Sequence, residues 1–381
     1  MDIKDFKAGR MERGYQYQYF LPERINHPFT WTDGTIHELL EKASLRLGEL
    51  NSFSRFVPDT DRFIIMHLFK EAIVSSRIEG TRTNIEEAFI DERDIDPERR
   101  DDWKEVNNHV AAMNAAIEEL KRLPLSNRLI RDTHRILLSS GRGEHKSPGE
   151  FRQSQNWIGG ASLADAVFIP PAHTELPELL SDLELFLNNG DLRIPHLVRV
   201  AIAHYQFETI HPFLDGNGRI GRLLFTLYLV SNGILEKPLL YLSDFFERNK
   251  GLYYDNLTLA RTKNDLGQWI KFVLTGIIQT AETSAGTLKK IIDLKAEIEK
   301  GRLLSMGRRS MQAIDFLHLL FKKPVVTVKE AQAMTGLSAK AANDLVTAFV
   351  DRGILSETTG FRRNRVFVFR EYLSMFDGPR V

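Results

Sequence analysis

Residues 211–222, with the sequence HPFLDGNGRIGR, combine a histidine, a carboxylate, a glycine-rich turn and two arginines within one short stretch. His211 can accept a proton near neutral pH, so it is a candidate general base. Asp215 offers hard carboxylate oxygens of the kind that Mg²⁺ prefers. The apolar run from Leu223 predicts a helix, so the preceding glycines would lie at a helix N-terminus, where backbone N–H groups bind phosphates. The stretch therefore indicates chemistry on a nucleotide.

The two arginines of this stretch support the same interpretation. Arg219 and Arg222 are three residues apart, so on the predicted helix they share a face. Each guanidinium can bind phosphate oxygens with paired N–H donors. Taken alone, His211 would be more simply explained as a hydrogen-bonded core histidine, but its neighbours favour catalysis. A hydroxyl that attacks phosphorus must lose its proton, and His211 is the base that this stretch offers.

These twelve residues resemble the signature of the Fic family of nucleotidyl transferases, H-x-F-x-[DE]-G-N-G-R-x-x-R. Every fixed position is filled: His211, Phe213, Asp215, Gly216, Asn217, Gly218, Arg219 and Arg222. The resemblance implies an enzyme that uses Mg²⁺ and transfers AMP from ATP to a Ser, Thr or Tyr hydroxyl of a target protein, which can be the chain itself. A relative with the same fold that uses another phosphate donor is a second enzymatic alternative.

The resemblance also implies a role for each residue of the motif. His211 would be the catalytic base, Asp215 the Mg²⁺ ligand and Phe213 the apolar anchor of the loop. Arg222 would reach the γ-phosphate, while Arg219 and the loop N–H groups would neutralise the α- and β-phosphates. The residues expected to contact ATP in this stretch are Gly216, Asn217, Gly218, Arg219, Ile220, Gly221 and Arg222.

A second constellation, Ser75-Ser-Arg-Ile-Glu79-Gly80, lies far upstream of the motif. It resembles the inhibitory helix of one class of Fic proteins, [ST]-x-x-x-E-[GN]. Ser75 and Glu79 are four residues apart and would share one face of a helix. The carboxylate of Glu79 could pair with Arg222 and occupy the arginine that the γ-phosphate needs, so ATP would bind with its α-phosphate badly oriented for in-line attack. The same glutamate could instead position a water for the removal of AMP.

Residues 151–171 contain two short extended runs, at 157–160 and 167–170, which predict a β-hairpin inside a helical region. By resemblance this hairpin is the flap that clamps the target backbone as an added strand and covers the nucleotide. Val167 and Phe168 are the candidate contacts with ATP. Ordinary packing within the hairpin is the alternative for both residues.

A tyrosine pair, Tyr253-Tyr254, follows the motif in sequence. It resembles a pair that helps to bind adenine in some relatives, and an aromatic ring suits stacking on a base. Tyr254 is therefore a candidate ATP contact. Packing in the core is the alternative explanation for these tyrosines.

The composition is that of an ordinary globular protein, because 43% of the 381 residues are hydrophobic and 27% are charged. No run approaches the ~18 apolar residues needed to span a bilayer, and the first residues have no apolar core of the signal-peptide type. The absence of cysteine excludes a disulfide framework, a thiolate zinc site and a cysteine nucleophile. We therefore expect a cytoplasmic protein with no membrane partner.

Helical spacing of apolar residues predicts a mainly α fold. Helical stretches are predicted at residues 36–50, 61–80, 103–120, 126–138, 176–187, 197–207 and 272–299, together with an apolar run at 223–230. We expect four parts: an N-terminal helical region with the inhibitory helix at 1–102, a Fic-type helical core with the β-hairpin flap at 103–285, a linker helix at 286–305 and a C-terminal domain at 306–381.

The C-terminal domain carries the charge asymmetry of the chain. Residues 301–381 hold 13 Lys and Arg against 7 Asp and Glu, a net charge of +6, so the preceding residues carry −6. The predicted elements are helices at 311–321, 328–334 and 339–350 and a hairpin at 355–370. This order resembles a winged helix-turn-helix.

Basic residues cluster on and near the predicted wing of this domain: Arg352, Arg362, Arg363 and Arg365. These side chains could contact DNA phosphates. A module for target binding or for a homodimer is the alternative. The leading hypothesis is an auto-inhibited protein adenylyltransferase, and a hypothesis of another class is a DNA-binding transcriptional regulator whose Fic core senses nucleotide. His211 favours the enzyme, because a sensor needs the carboxylate and the arginines but no base.

Overall fold

The computed structural model describes residues 1–56, 60–360 and 365–376. Helices predominate in these ranges, with one small antiparallel sheet near each end of the chain. The predicted mainly α fold is therefore confirmed. No helix of the described ranges has both the length and the apolar character needed to cross a membrane.

The N-terminal region, which the sequence predicts to be helical, contains a β-hairpin after a single-turn 3₁₀ segment at Ile3–Asp5. This hairpin corrects the prediction. Strand β1 (Gly9–Arg13) pairs antiparallel with β2 (Gln18–Pro22). The hairpin is anchored through Phe20, which is buried and whose ring lies 6.0 Å from that of Phe168. The Phe20 amide also donates to the Ile169 carbonyl at 2.9 Å. These long-range contacts hold the predicted flap in place, and no local pattern in the sequence predicts them.

Four long helices follow, close to their predicted positions. They are α1 (Gly34–Phe56), α2 (Thr60–Ile78), α3 (Arg100–Glu119) and α4 (Asn127–Leu137). Ser126 caps α4, because its hydroxyl accepts a hydrogen bond from the Leu129 amide. The connection from α2 to α3 includes three single-turn 3₁₀ segments, Glu87–Phe89, Glu92–Asp94 and Pro97–Arg99, where the sequence predicts a polar loop.

Six helices complete the core around the motif. They are α5 (Leu176–Asn188), α6 (His196–Ile210), α7 (Asn217–Ser231), α8 (Ser243–Arg248), α9 (Lys250–Lys263) and α10 (Leu266–Glu297). Every residue of α6 from Leu197 to Ile210 is buried, and most of α7 is buried too. These two helices therefore form the centre of the protein, and the turn between them holds the start of the motif. Trp269 ties α10 to α6 through an indole N–H that donates to the Ala201 carbonyl at 2.8 Å.

Helix α10 continues past residue 285, where the sequence predicts the end of the core. It runs into a π-helical segment, Ile298–Leu303, and then a 3₁₀ segment, Leu304–Arg309. Gly307 lies in the second segment with a φ of 60°, which breaks the helical path. The four-part division of the chain stays a prediction, and its boundary at residue 285 does not coincide with a helix end.

The C-terminal elements match their predicted order. They are α11 (Ser310–Leu320), β3 (Val325–Thr327), α12 (Val328–Thr335), α13 (Ala339–Asp351), β4 (Ser356–Glu357), β5 (Val366–Val368) and α14 (Arg370–Leu373). The three strands form an antiparallel sheet in the order β3-β5-β4. Gly336 ends α12 in the left-handed region and Ser338 caps α13, so a tight turn joins these two helices. Arg362 and Arg363 lie outside the described residues.

We expect Trp269→Phe to lower the free energy of unfolding by about 1–2 kcal/mol, because it removes a buried hydrogen bond and part of a buried ring. Denaturant unfolding followed by circular dichroism measures this change. The control is Trp157→Phe, since the Trp157 side chain is 40% exposed. Equal losses in the two variants would show that the contact between α10 and α6 does not hold the core together.

Candidate active site

A cavity of about 330 Å³ lies between the turn that joins α6 to α7, helix α9, the flap and the end of α2. The predicted site residues that line it are Glu79, His211, Asp215, Gly216, Asn217, Gly218, Arg222 and Tyr254. The remaining predicted residues lie outside this lining: Ser75, Val167, Phe168, Arg219, Ile220 and Gly221. The fold therefore brings the candidate base, the helix N-terminus and one arginine to a single cavity.

His211 ends α6 with a left-handed backbone, φ 50° and ψ 61°, which is uncommon for a residue with a side chain. The strained carbonyl is held by two donors, Arg152 Nε at 3.0 Å and Asn156 Nδ2 at 3.1 Å. Burial lowers the pKa of the His211 imidazole to about 4. The ring is therefore neutral at pH 7 and has a lone pair that can accept a proton.

The loop after His211 is held by the side chain of Asn217. Its Oδ1 accepts from the Phe213 amide at 2.8 Å and its Nδ2 donates to the Phe213 carbonyl at 2.9 Å. Both functional atoms of this amide are thus bonded to the loop, so the predicted contact of Asn217 with ATP would be made by its backbone amide. The amide groups of Asn217, Gly218 and Arg219 precede the first intrahelical bond, from the Ile220 amide to the Gly216 carbonyl at 3.0 Å, so this turn can bind anions.

Phe213 anchors the loop as the resemblance implies, because its ring is completely buried. The ring stacks on His134 at 3.7 Å between centroids and 5° between planes. His134 in turn joins two backbone segments: its Nε2 lies 2.9 Å from the Asp215 carbonyl and its Nδ1 accepts from the Gly149 amide at 2.8 Å. Since Nδ1 accepts, Nε2 carries the proton. The sequence analysed alone gives no signal for this histidine.

Arg222 is buried in the second turn of α7 and is bound by the end of α2. Its Nη2 donates to Glu79 Oε1 at 2.7 Å and to the Ser75 carbonyl at 2.8 Å, and its Nε donates to Ser75 Oγ at 2.9 Å. The Arg222 side chain is 1% exposed, whereas that of Glu79 is 37% exposed on the cavity side. The predicted contact between Glu79 and Arg222 is therefore present.

The electrostatics of this contact follow from burial and charge. Burial alone would raise the pKa of the Glu79 carboxyl, but the attraction and hydrogen bond of Arg222 hold that pKa below its usual range. Glu79 is thus ionised at neutral pH. A Cβ atom at Gly218 would lie only 2.5 Å from Glu79 Oε1, so glycine is needed there for the carboxylate to reach the helix N-terminus.

Arg219 points away from Arg222, so the two guanidinium groups do not form one clamp. Its Nη1 donates to Glu105 Oε2 at 3.1 Å, and its Nη2 lies 3.5 Å from Asp215 Oδ1. The side chain is 3% exposed and lies outside the cavity lining. The expectation that Arg219 and Arg222 share one face toward phosphates is corrected by these partners, because a buried arginine requires an acidic neighbour.

The flap is reduced to a single antiparallel bridge between Ile158 and Phe168. Trp157, Ile158 and Gly159 line the cavity, whereas Val167 is 81% exposed and lies outside the lining. Phe168 packs away from the lining, under the guanidinium of Arg261, which is 3.9 Å from the ring centroid. The first strand of the flap lines the cavity, and contact of Val167 and Phe168 with ATP stays a prediction.

Helix α9 lines the cavity through four residues: Tyr253, Tyr254, Leu257 and Arg261. Tyr254 is 43% exposed and available to a ligand. Its neighbour Tyr253 is buried, with its hydroxyl 2.9 Å from His204 Nε2. One tyrosine of the predicted pair is thus free to contact a ligand and the other belongs mainly to the core. Arg261 was not predicted, although it follows Tyr254 at the helical spacing of seven residues.

Several further residues of the site were not predicted from the sequence. Arg152 and Asn156 hold the His211 carbonyl, and Glu208 lies beneath the His211 ring in the cavity lining. Glu208 precedes His211 by three residues on a fully buried helix, and a charged residue within such a run is the one signal that could have found it.

Known proteins resemble this chain over the same regions. "Fic/DOC family N-terminal" matches residues 37–118, and "Fic/DOC family" matches residues 124–229. Proteins named "Protein adenylyltransferase Fic" from Aedes aegypti and Drosophila yakuba are 34% identical over 149 residues and 31% identical over 180 residues. These alignments cover 38% and 45% of this chain but only 26% and 33% of the relatives. The chain thus spans about a quarter to a third of the length of these curated relatives.

The fold also resembles the crystal structure of a Fic family protein from Desulfovibrio desulfuricans G20. The TM-score is 0.56 at 18% sequence identity, over 90% of this chain and 98% of that one. This similarity concerns the fold alone. The two family matches and the complete motif at residues 211–222 identify residues 37–118 and 124–229 as Fic/DOC family sequence.

Proposed function

We propose that this chain is an auto-inhibited protein adenylyltransferase, which transfers AMP from ATP to a Ser, Thr or Tyr hydroxyl of a protein. One observation carries the proposal. His211 and the N-terminus of α7 line the same cavity, while Arg222 at that N-terminus is bound by Glu79. The names of the Aedes and Drosophila relatives support the same activity.

In this proposal His211 acts on the incoming hydroxyl. The neutral ring takes the hydroxyl proton through Nε2, because Nδ1 is buried. The hydroxyl oxygen bonds to the α-phosphorus as the bond from that phosphorus to the β-phosphate oxygen breaks, and pyrophosphate leaves. Arg152 and Asn156 keep the base in position by holding its carbonyl.

The phosphates would bind at the first turn of α7, where free amide groups and the positive end of the helix dipole attract anions. Asp215 is the residue that would hold Mg²⁺. Its side chain is 42% exposed at the cavity, with Oδ1 accepting from the Gly216 amide. One carboxylate suits Mg²⁺, which commonly takes its other ligands from phosphates and water. The ion would neutralise phosphate charge.

Inhibition follows from the contact between Glu79 and Arg222. If Arg222 binds the γ-phosphate, the phosphate and the Glu79 carboxylate would compete for the same guanidinium group. ATP that binds without this contact would present its α-phosphate poorly to the hydroxyl. Glu79 is on the solvent side of the pair, so a modest movement of α2 would release the arginine.

We also propose that the C-terminal elements form a winged helix that binds DNA. The helix order and the sheet order β3-β5-β4 support this arrangement. The exposed face of α13 carries charges of both signs, Lys340 and Asp344. Because α13 is not strongly basic, we assign phosphate binding to the wing, which holds Arg362, Arg363 and Arg365 of the residues that give a net charge of +6 beyond residue 300.

We expect His211→Ala to abolish transfer while ATP binding changes little, because the imidazole acts on the hydroxyl and not on the phosphates. Transfer is measured with α-labelled ATP on lysate proteins and on the chain itself. Label from γ-labelled ATP should stay in solution. Asp215→Ala should instead lose the Mg²⁺-dependent part of ATP binding. Undiminished labelling by His211→Ala would show that the assigned base is wrong.

We expect Glu79→Gly to raise the transfer rate at least tenfold, which is ~1.4 kcal/mol in the activation barrier. Removing the carboxylate frees Arg222 for the γ-phosphate. The rate is measured at saturating Mg²⁺ and ATP, and the gain should disappear when Arg222→Ala is added.

The matched control is Arg77→Gly, an exposed position at the same helix end. It adds the same backbone freedom without touching Arg222 and should leave the rate unchanged. Equal rates in the wild type and Glu79→Gly would exclude auto-inhibition by this contact, whereas the transferase activity itself would stand.

We expect the full chain to bind duplex DNA with an affinity that falls as salt rises. Replacing Arg362, Arg363 and Arg365 by Gln should flatten the logarithmic salt dependence by about 0.9 for each phosphate that the variant no longer neutralises. The control replaces three exposed arginines outside this domain, Arg24, Arg93 and Arg128. No binding at low salt, or the same slope in both triple variants, would contradict DNA binding by the wing.

A further inference from the structure

Glu208 is a buried carboxylate that the proposed reaction has not yet used. It lies in the last turn of α6, and its side chain is 9% exposed. Glu208 Oε2 is 3.9 Å from His211 Nδ1. Within the described residues neither His211 Nδ1 nor Glu208 Oε1 has a hydrogen-bond partner. A carboxylate and an imidazole nitrogen thus lie close together in a buried place.

The neighbouring helix leaves room for this carboxylate at Gly221. A Cβ atom there would lie 2.1 Å from Glu208 Oε1 and 3.1 Å from its Cδ. Any side chain at position 221 would therefore expel the carboxylate from its place beside His211. This also corrects the expectation that Gly221 contacts ATP, because the residue faces Glu208 and lies outside the cavity lining.

We propose that Glu208 is the positioning residue for His211, with its carboxylate directed at Nδ1 so that Nε2 is left to take the proton of the attacking hydroxyl. This inference rests on the proposed function. The carboxylate fixes the tautomer with the proton on Nδ1 and stabilises the imidazolium that forms when Nε2 takes its proton. The hydroxyl O–H bond breaks and the Nε2–H bond forms, and Glu208 takes no proton in the step.

The distance of 3.9 Å is longer than a hydrogen bond and describes the protein without substrate. Contacts of this kind often shorten when the substrate binds. The backbone carbonyl of Glu208 also faces the ring and raises the pKa of His211. The carbonyl is therefore the competing explanation for how Nδ1 is held, and a side-chain substitution separates the two.

The charged side chains around Glu208 and His211 change the pKa values of both groups. Arg222 and Arg261 favour the ionised form of Glu208, whereas Glu79 opposes it. Arg152 and Arg261 oppose a positive charge on His211, whereas Glu79 favours it. Burial raises the pKa of Glu208 to about 7 and lowers that of His211 to about 4. Because the groups are adjacent, the His211 ring should sense the titration of Glu208 as well as its own.

The test uses the full chain with Glu79→Gly, in which the proposed enzyme is released from inhibition. Adding Glu208→Gln should lower kcat at least tenfold with KM for ATP changed by less than about threefold, because the carboxylate acts in the transfer step. Glu208→Asp should restore part of kcat. Glu282→Gln, an exposed glutamate on α10, is the control and should change neither constant.

A second readout does not depend on activity. Nuclear magnetic resonance of the labelled His211 ring should show two titration steps in the parent chain and only the lower step in the Glu208→Gln variant. Identical titration curves together with kcat within twofold would overturn the proposal and leave the backbone carbonyl as the group that holds Nδ1. If the Glu79→Gly chain transfers no AMP at all, the proposed function fails, and the titration curves still decide whether Glu208 and His211 are paired.

Discussion

The buried guanidinium of Arg222 is the constraint on which the arrangement of the site depends. A charge with 1% exposure must be paired, and the hydrogen-bond partners of Arg222 among the described residues come from the end of α2. Glu79 supplies the charge, and Ser75 supplies a hydroxyl and a carbonyl. A segment far from the motif in sequence is thereby joined to the helix N-terminus at which phosphates would bind. Any anion that enters this place must compete with the carboxylate already there.

Rigidity around this contact comes from backbone held by side chains. Asn217 closes the loop over Phe213, and His134 stacks on the Phe213 ring while bonding to the Asp215 carbonyl. Arg152 holds the strained carbonyl of His211. These residues contribute no charge at the cavity surface, yet they fix the base and the first turn of α7 relative to each other. In the proposed reaction they therefore act through geometry.

The sequence predicts those parts of the structure whose signal is local. Apolar periodicity locates most of the helices, and the motif identifies the residues that meet at the cavity. The contact between Glu79 and Arg222 was also predictable, because the resemblance links two motifs that are distant in sequence. The N-terminal hairpin, the stacking of His134 and the divergence of Arg219 toward Glu105 were not predictable, since each depends on long-range packing. The place of Gly221 opposite Glu208 belongs to the same group.

The central claim is that Glu79 and the γ-phosphate compete for Arg222, and the most direct measurement compares ATP with ADP. Calorimetry gives the dissociation constants of both nucleotides with Mg²⁺ for the wild type and for Glu79→Gly. The account predicts that the γ-phosphate adds little affinity in the wild type and that the ratio of the ADP to the ATP constant rises about tenfold in the variant, which is ~1.4 kcal/mol. An unchanged ratio, with ATP and ADP affected alike, would contradict the account.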